Sequence, residues 1–273
     1  MNEAVVWREG KLQPASEATV SVLDAGVLYG DGLFETMRVV DGRVEWLAEH
    51  IDRLLRSATA LRLSAPGRAV LMAGCEAAAQ AAGFERASLR LTVTRGVVGS
   101  LGPRGAAQAT TASWWVMVSP VAPASSVPVK AVLLDPAFAP PRPEHKSLSW
   151  QHAIVAQIEA GDDEGIYTNA AGEITEAISA NVFAVIDDEL RTPPVELGLP
   201  GVTRGGVLAA AREIGIEPSE VSISVADLRR ASEVMLSGAV GRLRPVLTLD
   251  GETVGDGVPG PVYARLLAAL PSA

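Results

Sequence analysis

The sequence predicts two α/β domains, and three observations carry that prediction. The chain has 273 residues, enough for two domains of common size and for a core that needs no covalent staples. Each half interleaves short β-prone runs with apolar stripes at helical spacing, so neither half belongs to an all-α or all-β class. A segment rich in proline and serine, PVAPASSVP at 120–128, separates the halves. We place the first domain at 1–120, an interdomain linker at 121–128 and the second domain at 129–273. A cleft between two such domains is where a small ligand is expected.

The elements follow in order. AVVWREGKLQ reads as a hairpin turning at Glu9-Gly10. The glycine-dense stretch 24–36, DAGVLYGDGLFET, leads into the strand TMRVVDGRV, which turns at Asp41-Gly42. Residues 46–62 are helical, because Leu47, Ile51, Leu54, Leu55, Ala58 and Leu61 recur at a 3.6-residue period. Pro66 and Gly67 end that unit, and 68–83 gives an alanine-rich second helix. SLRLTVTRG at 88–96 and ASWWVMVSP at 112–120 are strands. The second half opens with the strand VKAVLL at 129–134, a proline-rich loop at 135–145, and a helix at 147–160. Hairpins follow around Ala171-Gly172 and within NVFAVIDDELRTPP. VTRGGVLAAAREIGIE and VADLRRASE are helices, VMLSGAVGRLRPVLTLDG is strand with a glycine turn, and PVYARLLAAL is the last helix.

Composition narrows the function. Apolar residues at 48% and charged residues at 20% exclude a disordered chain. A net charge of −9 excludes a binder of the nucleic-acid backbone. The single cysteine, Cys75, allows neither an internal disulfide nor a paired-cysteine metal site, which suits a reducing, cytoplasmic compartment. No signal-length apolar core opens the chain and no apolar run reaches membrane-spanning length, so no membrane association is expected. His50, His145 and His152 have no ligand spacing, so no metal is expected.

Few residues offer amine chemistry: the chain has three lysines, Lys11, Lys130 and Lys146. Lys146 ends the proline-rich loop where a helix is expected. A helix N-terminus disfavours a cation, and a desolvated amine there is readier to act as a nucleophile. The other reading is an exposed surface lysine. Glu176, in EITEAIS, shares a strand face with Ile174, so it either points inward and needs a cationic partner or is solvated. Arg53 lies on the helix of the Leu47 stripe with His50 three residues before it; its other reading is an ordinary solvated arginine. Gly201, Val202 and Thr203 open a helix whose first N–H groups suit a phosphate, and LSGAVG at 236–241 offers a second glycine turn.

Six strings stand in order along the chain: YGDGLFET, LAEHIDRL, HKSLSW, GEITEAISANVF, LPGVTRGGVL and RPVLTLDG. Together they resemble the class IV aminotransferases, the fold-type IV enzymes of pyridoxal 5′-phosphate. The resemblance implies two α/β domains with the cofactor in the cleft between them, and a homodimer. It implies that Lys146 forms the internal aldimine and that Glu176 pairs with the pyridine nitrogen. It implies that Arg53, Val202 and Thr203 hold the phosphate. Gly238 and Ala239 match a turn that ends in Thr or Ser in the family; here the hydroxyl is missing and the backbone N–H serves.

The family covers several reactions. The expected one is transfer of an amino group between an amino acid, D-configured or another small donor, and a 2-keto acid. The alternative is aminodeoxychorismate lyase, which releases pyruvate. A branched-chain aminotransferase and a non-catalytic cofactor-binding protein rank below these; branched-chain enzymes carry a tyrosine where this chain has Gln151. The candidate substrate residues are Tyr29, Arg95, Arg104 and Trp150. In an unbroken strand Arg90 and Arg95 face opposite sides, so one of them points into the site.

Overall fold

The computed structural model describes residues 3–109, 111–122 and 127–270. The chain divides into two compact units, Met1–Pro123 with His145–Trp150, and Ala124–Glu144 with Gln151–Ser272. Of the expected linker, residues 123–126 lie outside the described residues.

The first unit holds β1 (Val5–Arg8), β2 (Lys11–Pro14), α1 (Ala25–Tyr29), β3 (Gly32–Val40), β4 (Arg43–Val44), α2 (Leu47–Ala60), α3 (Arg68–Ala82), β5 (Arg86–Thr94), α4 (Pro103–Ala107) and β6 (Ser113–Pro120). Its six strands run β2-β1-β6-β5-β3-β4, and each neighbouring pair is antiparallel. The two expected hairpin turns form, with Glu9-Gly10 and Asp41-Gly42 all at positive φ, as a two-residue turn between twisted strands requires. Along β3 the side chains alternate. Leu33, Met37 and Val39 join the core with Ile51 and Leu54 of α2 and Leu71 and Cys75 of α3, while Phe34 and Thr36 face the other way.

The glycine-dense stretch is more structured than its composition suggests. Residues 25–29 form a helix capped by Asp24, whose carboxylate accepts the Gly26 N–H at 2.8 Å. Gly30, at φ 64°, ends the helix in the left-handed region. A Cβ on Gly32 would lie 2.7 Å from both Leu148 Cδ1 and the Val93 carbonyl oxygen. That space lets residues 146–148 lie along the start of β3. The Phe34 N–H donates to the Lys146 carbonyl at 3.0 Å and the Leu148 N–H to the Gly32 carbonyl at 2.9 Å.

This pairing corrects two expectations. The helix expected at 147–160 starts at Gln151, so Lys146 sits on a strand edge and not at a helix N-terminus. The segment carrying Lys146 also groups with the first unit, where the boundary at 129 put it in the second. Both differences have one cause: the backbone polar groups of 146–148 are satisfied by β3 and not by a helical turn.

The second unit holds β7 (Val129–Leu134), α5 (Gln151–Ala160), β8 (Glu164–Thr168), β9 (Ile174–Ala177), β10 (Asn181–Ile186), β11 (Glu189–Thr192), α6 (Val202–Glu213), β12 (Ser219–Glu220), α7 (Val225–Arg229), β13 (Glu233–Gly238), β14 (Arg242–Leu249), β15 (Glu252–Thr253) and α8 (Pro261–Ala269). The sheet runs β12-β11-β10-β13-β14-β7-β8-β9, with β15 on β14. It is mixed: β7 runs parallel to both β14 and β8. One core cluster buries Val182, Ala184, Leu236 and Val246 with Ile223 and Leu228. Glu233 caps α8, accepting the Val262 and Tyr263 N–H groups at 2.9 and 2.8 Å. Among the described residues no helix is long and apolar enough to cross a membrane, and no cluster of three His, Cys, Asp or Glu could hold a metal.

Candidate active site

In the first unit the chemistry gathers on the two faces of β3. On one face Lys146 Nζ lies 4.7 Å from the Phe34 ring centroid and 5.6 Å from that of Trp150. The two rings meet edge to face, 5.2 Å apart. Trp150 therefore shares the wall of Lys146. Arg90, in the middle of β5, places its guanidinium carbon 3.6 Å from the centroid of the same Phe34 ring. Among the described residues its guanidinium makes no ion pair or hydrogen bond, and burial pushes its pKa down.

On the opposite face stands Glu35, 1% exposed. Its carboxylate accepts His50 Nδ1 at 2.7 Å and Arg53 Nε at 2.9 Å, with a second bond from Arg53 Nη2. Burial pushes the Glu35 pKa up, but the Arg53 charge and the hydrogen bonds from His50 and Arg53 outweigh it and hold it at about 2. An ionised carboxylate accepts, so Nδ1 of His50 carries the proton. Burial lowers the His50 pKa, and the Arg53 and Lys146 charges add to that against Glu35. Arg53 is thus no solvated helix arginine. It is 5% exposed, and its pair with Glu35 accounts for two of its five N–H donors.

The remaining candidates of this unit separate. Arg95 binds both oxygens of Asp31, and donates to the Arg62 carbonyl at 2.7 Å and the Leu61 carbonyl at 3.1 Å. That corrects its reading as a carboxylate trap: its donors are committed to fastening the end of β5 to the end of α2. Arg104 is exposed on α4. Tyr29, at the end of α1, accepts the Gly102 N–H on its hydroxyl at 2.6 Å.

In the second unit Glu176, on β9, is 9% exposed and points inward. Its Oε2 accepts the Leu199 N–H at 2.9 Å. The loop carrying Leu199 runs into α6. Gly201 caps that helix without a side-chain acceptor, so the first turn presents backbone N–H groups. Thr203 is buried there, 3% exposed, and Val202 half-buried. Gly238 ends β13, and Ala239 stands in the turn to β14.

Sequence reasoning missed Glu35 and His50 as its partner, and left Arg90 and Arg95 as alternatives where Arg90 is the one that shares the Phe34 ring with Lys146. A signal existed for each. His50 and Arg53 are three apart on a helix, hence on one face. Glu35 falls on the same alternating set as Leu33 and Met37. Arg90 and Phe34 belong to the same face of paired strands, since Phe34 opposes Thr92.

Residues 32–249 match the family model for class IV amino-transferases. A putative branched-chain-amino-acid aminotransferase of Methanocaldococcus jannaschii is 33% identical, covering 96% of this chain and 93% of that protein. A D-alanine aminotransferase of Listeria monocytogenes is 30% identical, covering 92% and 89%. The crystal structure of the Escherichia coli branched-chain amino acid aminotransferase superposes with a TM-score of 0.86 at 29% identity, covering 97% of this chain and 92% of that one. An amine on an aromatic wall, a buried carboxylate and an open helix start thus stand on the framework of known aminotransferases, and the chain belongs to the class IV aminotransferase family.

Proposed function

We propose that this aminotransferase uses pyridoxal 5′-phosphate to move an amino group between a D-amino acid, or another small amino donor, and a 2-keto acid. The observation that carries the reading is Lys146: its Nζ rests on Phe34 and Trp150, and its carbonyl is bonded to the Phe34 N–H. The donor set fits the cofactor. An amine suits its aldehyde, a buried carboxylate its ring nitrogen, and a guanidinium with uncapped helical N–H groups its phosphate. When bound, the cofactor supplies a carbonyl that accepts the amino group and a ring that withdraws electrons.

The chain's own residues do the rest. Lys146 Nζ would attach the cofactor and would be the base that moves a proton at the donor's α-carbon. Glu176 holds a proton on the ring nitrogen. Arg53, oriented by Glu35, would serve the phosphate, a role that the N–H groups of Val202 and Thr203 and the Thr203 hydroxyl would also fit. The backbone at Gly238 and Ala239 adds donors to the same group. Trp150 and Phe34 form an aromatic wall beside Nζ. Arg90 replaces Arg95 as the partner of the donor's carboxylate, because it shares the Phe34 ring with Lys146 and among the described residues carries no carboxylate of its own. Tyr29 and Arg104 border the donor from outside this wall.

We also propose a homodimer in the cytoplasm. The large apolar side chains that the first unit leaves exposed, Val22, Leu23, Val27 and Leu101 among them, support a partner surface. The buried free thiol of Cys75 suits a reducing compartment. One screen tests the reaction: donors of both hands are supplied with a 2-keto acid, and nitrogen transfer is measured beside pyruvate release. Stoichiometric transfer supports the proposal. Pyruvate formed from aminodeoxychorismate with no acceptor present would assign the lyase reaction instead.

A further inference from the structure

We propose that Asn181 is a positioning residue that locks the Leu199–Gly201 loop and thereby sets Glu176 in register with the start of α6. The proposal rests on the reading of Glu176 and Thr203 as ligands of one cofactor. Leu199 is gripped at both of its backbone polar groups by side chains. Its N–H donates to Glu176 Oε2 at 2.9 Å, and its carbonyl accepts from Asn181 Nδ2 at 2.9 Å. Asn181 is 8% exposed and begins β10, where the ladder to β13 pairs it with Ser237. The sheet therefore fixes one end of the clamp.

The glycines of the loop point to the same arrangement. Gly201 has φ −63°, a conformation open to any residue. Its lack of a side chain answers to space: a Cβ there would lie 1.9 Å from Asn181 Oδ1. A Cβ on Gly198 would lie 3.2 Å from the Glu176 carboxyl carbon. Each glycine makes room for one of the two polar side chains that hold the loop. The ring nitrogen and phosphate of a pyridoxal cofactor are rigidly spaced. Their proposed ligands, Glu176 and the first turn of α6, are joined through Leu199. An error in that loop misplaces one ligand against the other, and misplacement of a bound group is costly.

The test uses Asn181→Ala and Asn181→Asp in the full chain, with apoprotein melting followed separately. The aspartate keeps the volume but replaces the donor to the Leu199 carbonyl with an acceptor. Both variants are expected to weaken pyridoxal 5′-phosphate binding by about tenfold or more. They should also move the resonance of ring-15N-labelled cofactor toward the unprotonated position, a shift that loop packing alone would not produce. Gly201→Ala should weaken binding similarly, yet cost less when added to Asn181→Ala, because the severe collision with Asn181 Oδ1 is gone and the Arg204 Cβ at 3.1 Å is left. If Asn181→Ala does not fold, Asn181→Asp decides. An unchanged dissociation constant and an unchanged ring-nitrogen resonance in the folded Asn181 variants overturn the proposal alone. Failure of the wild-type protein to bind the cofactor overturns the reading of the site, and this proposal with it.

Discussion

Phe34 and Glu35 are neighbours in β3 and serve opposite faces. The ring of Phe34 carries Lys146 and Arg90, while the carboxylate of Glu35 holds His50 and Arg53. One strand thus places the proposed nucleophile and the proposed phosphate anchor with two adjacent side chains. Residue chemistry left Lys146, Glu176 and Arg53 each beside a plainer reading, and the family resemblance is what singles them out, with Thr203, as candidates. Their partners were not legible in the sequence. A strand glutamate gives no sign of the helix it will face, and an arginine gives no sign of whether its donors are already spent. Arg90 and Arg95 show the consequence. Arg90→Ala is expected to raise KM for an amino acid by about tenfold or more, the scale of a lost charge-assisted contact, while leaving turnover of a carboxylate-free amine nearly intact. Arg95→Ala should leave KM nearly unchanged and lower the melting temperature, because Asp31 and two carbonyls lose their donor. Steady-state kinetics with both substrate types, beside a thermal melt, checks the pair.

At the scale of elements, hairpins and amphipathic helices were legible because their signals are local. Asp187-Asp188 turns β10 into β11 with both residues at positive φ, and the stripe of Leu47, Ile51, Leu54 and Ala58 is buried as its period requires. The start of α5 was not legible. Residues 147–150 are compatible with a helix, and only the backbone of β3, far away in sequence, draws them into an extended bridge. The short α1 was hidden for another reason: its glycine, Gly26, argues against a helix, and the Asp24 cap with the Gly30 terminus outweighs it. Caps matter equally at the other end of the chain. Glu233 supplies the acceptor that Gly260, the glycine cap of α8, cannot. Glu233→Ala is expected to cost about 1–3 kcal/mol, since it strips two partly buried N–H groups of their acceptor. Urea unfolding monitored by far-ultraviolet circular dichroism measures it.

At the scale of the molecule, the division into two α/β units was legible from strand-rich halves. The assignment of the Lys146 segment was not, because it follows long-range pairing and not chain order. The buried Glu35–His50–Arg53 cluster also gives the whole chain a pH dependence of definite sign. Unfolded, the Glu35 carboxyl takes up a proton near 4.5, whereas folded it stays ionised down to about 2. Unfolded His50 takes up a proton near 6.5, whereas the folded imidazole, its pKa lowered, resists. In both windows the unfolded chain binds more protons, so stability falls as the pH falls. The urea midpoint should decline below pH 6.5 and further below 4.5; a midpoint that rises on acidification contradicts this cluster. Of the three lysines, Lys146 is the one proposed to attach the cofactor. Borohydride reduction of the cofactor-loaded protein, followed by peptide mass spectrometry, tests it most directly. A phosphopyridoxyl group is expected on Lys146 and should be lost in Lys146→Ala. Labelling of Lys11 or Lys130 instead, or of no lysine in a protein that binds the cofactor, would contradict it.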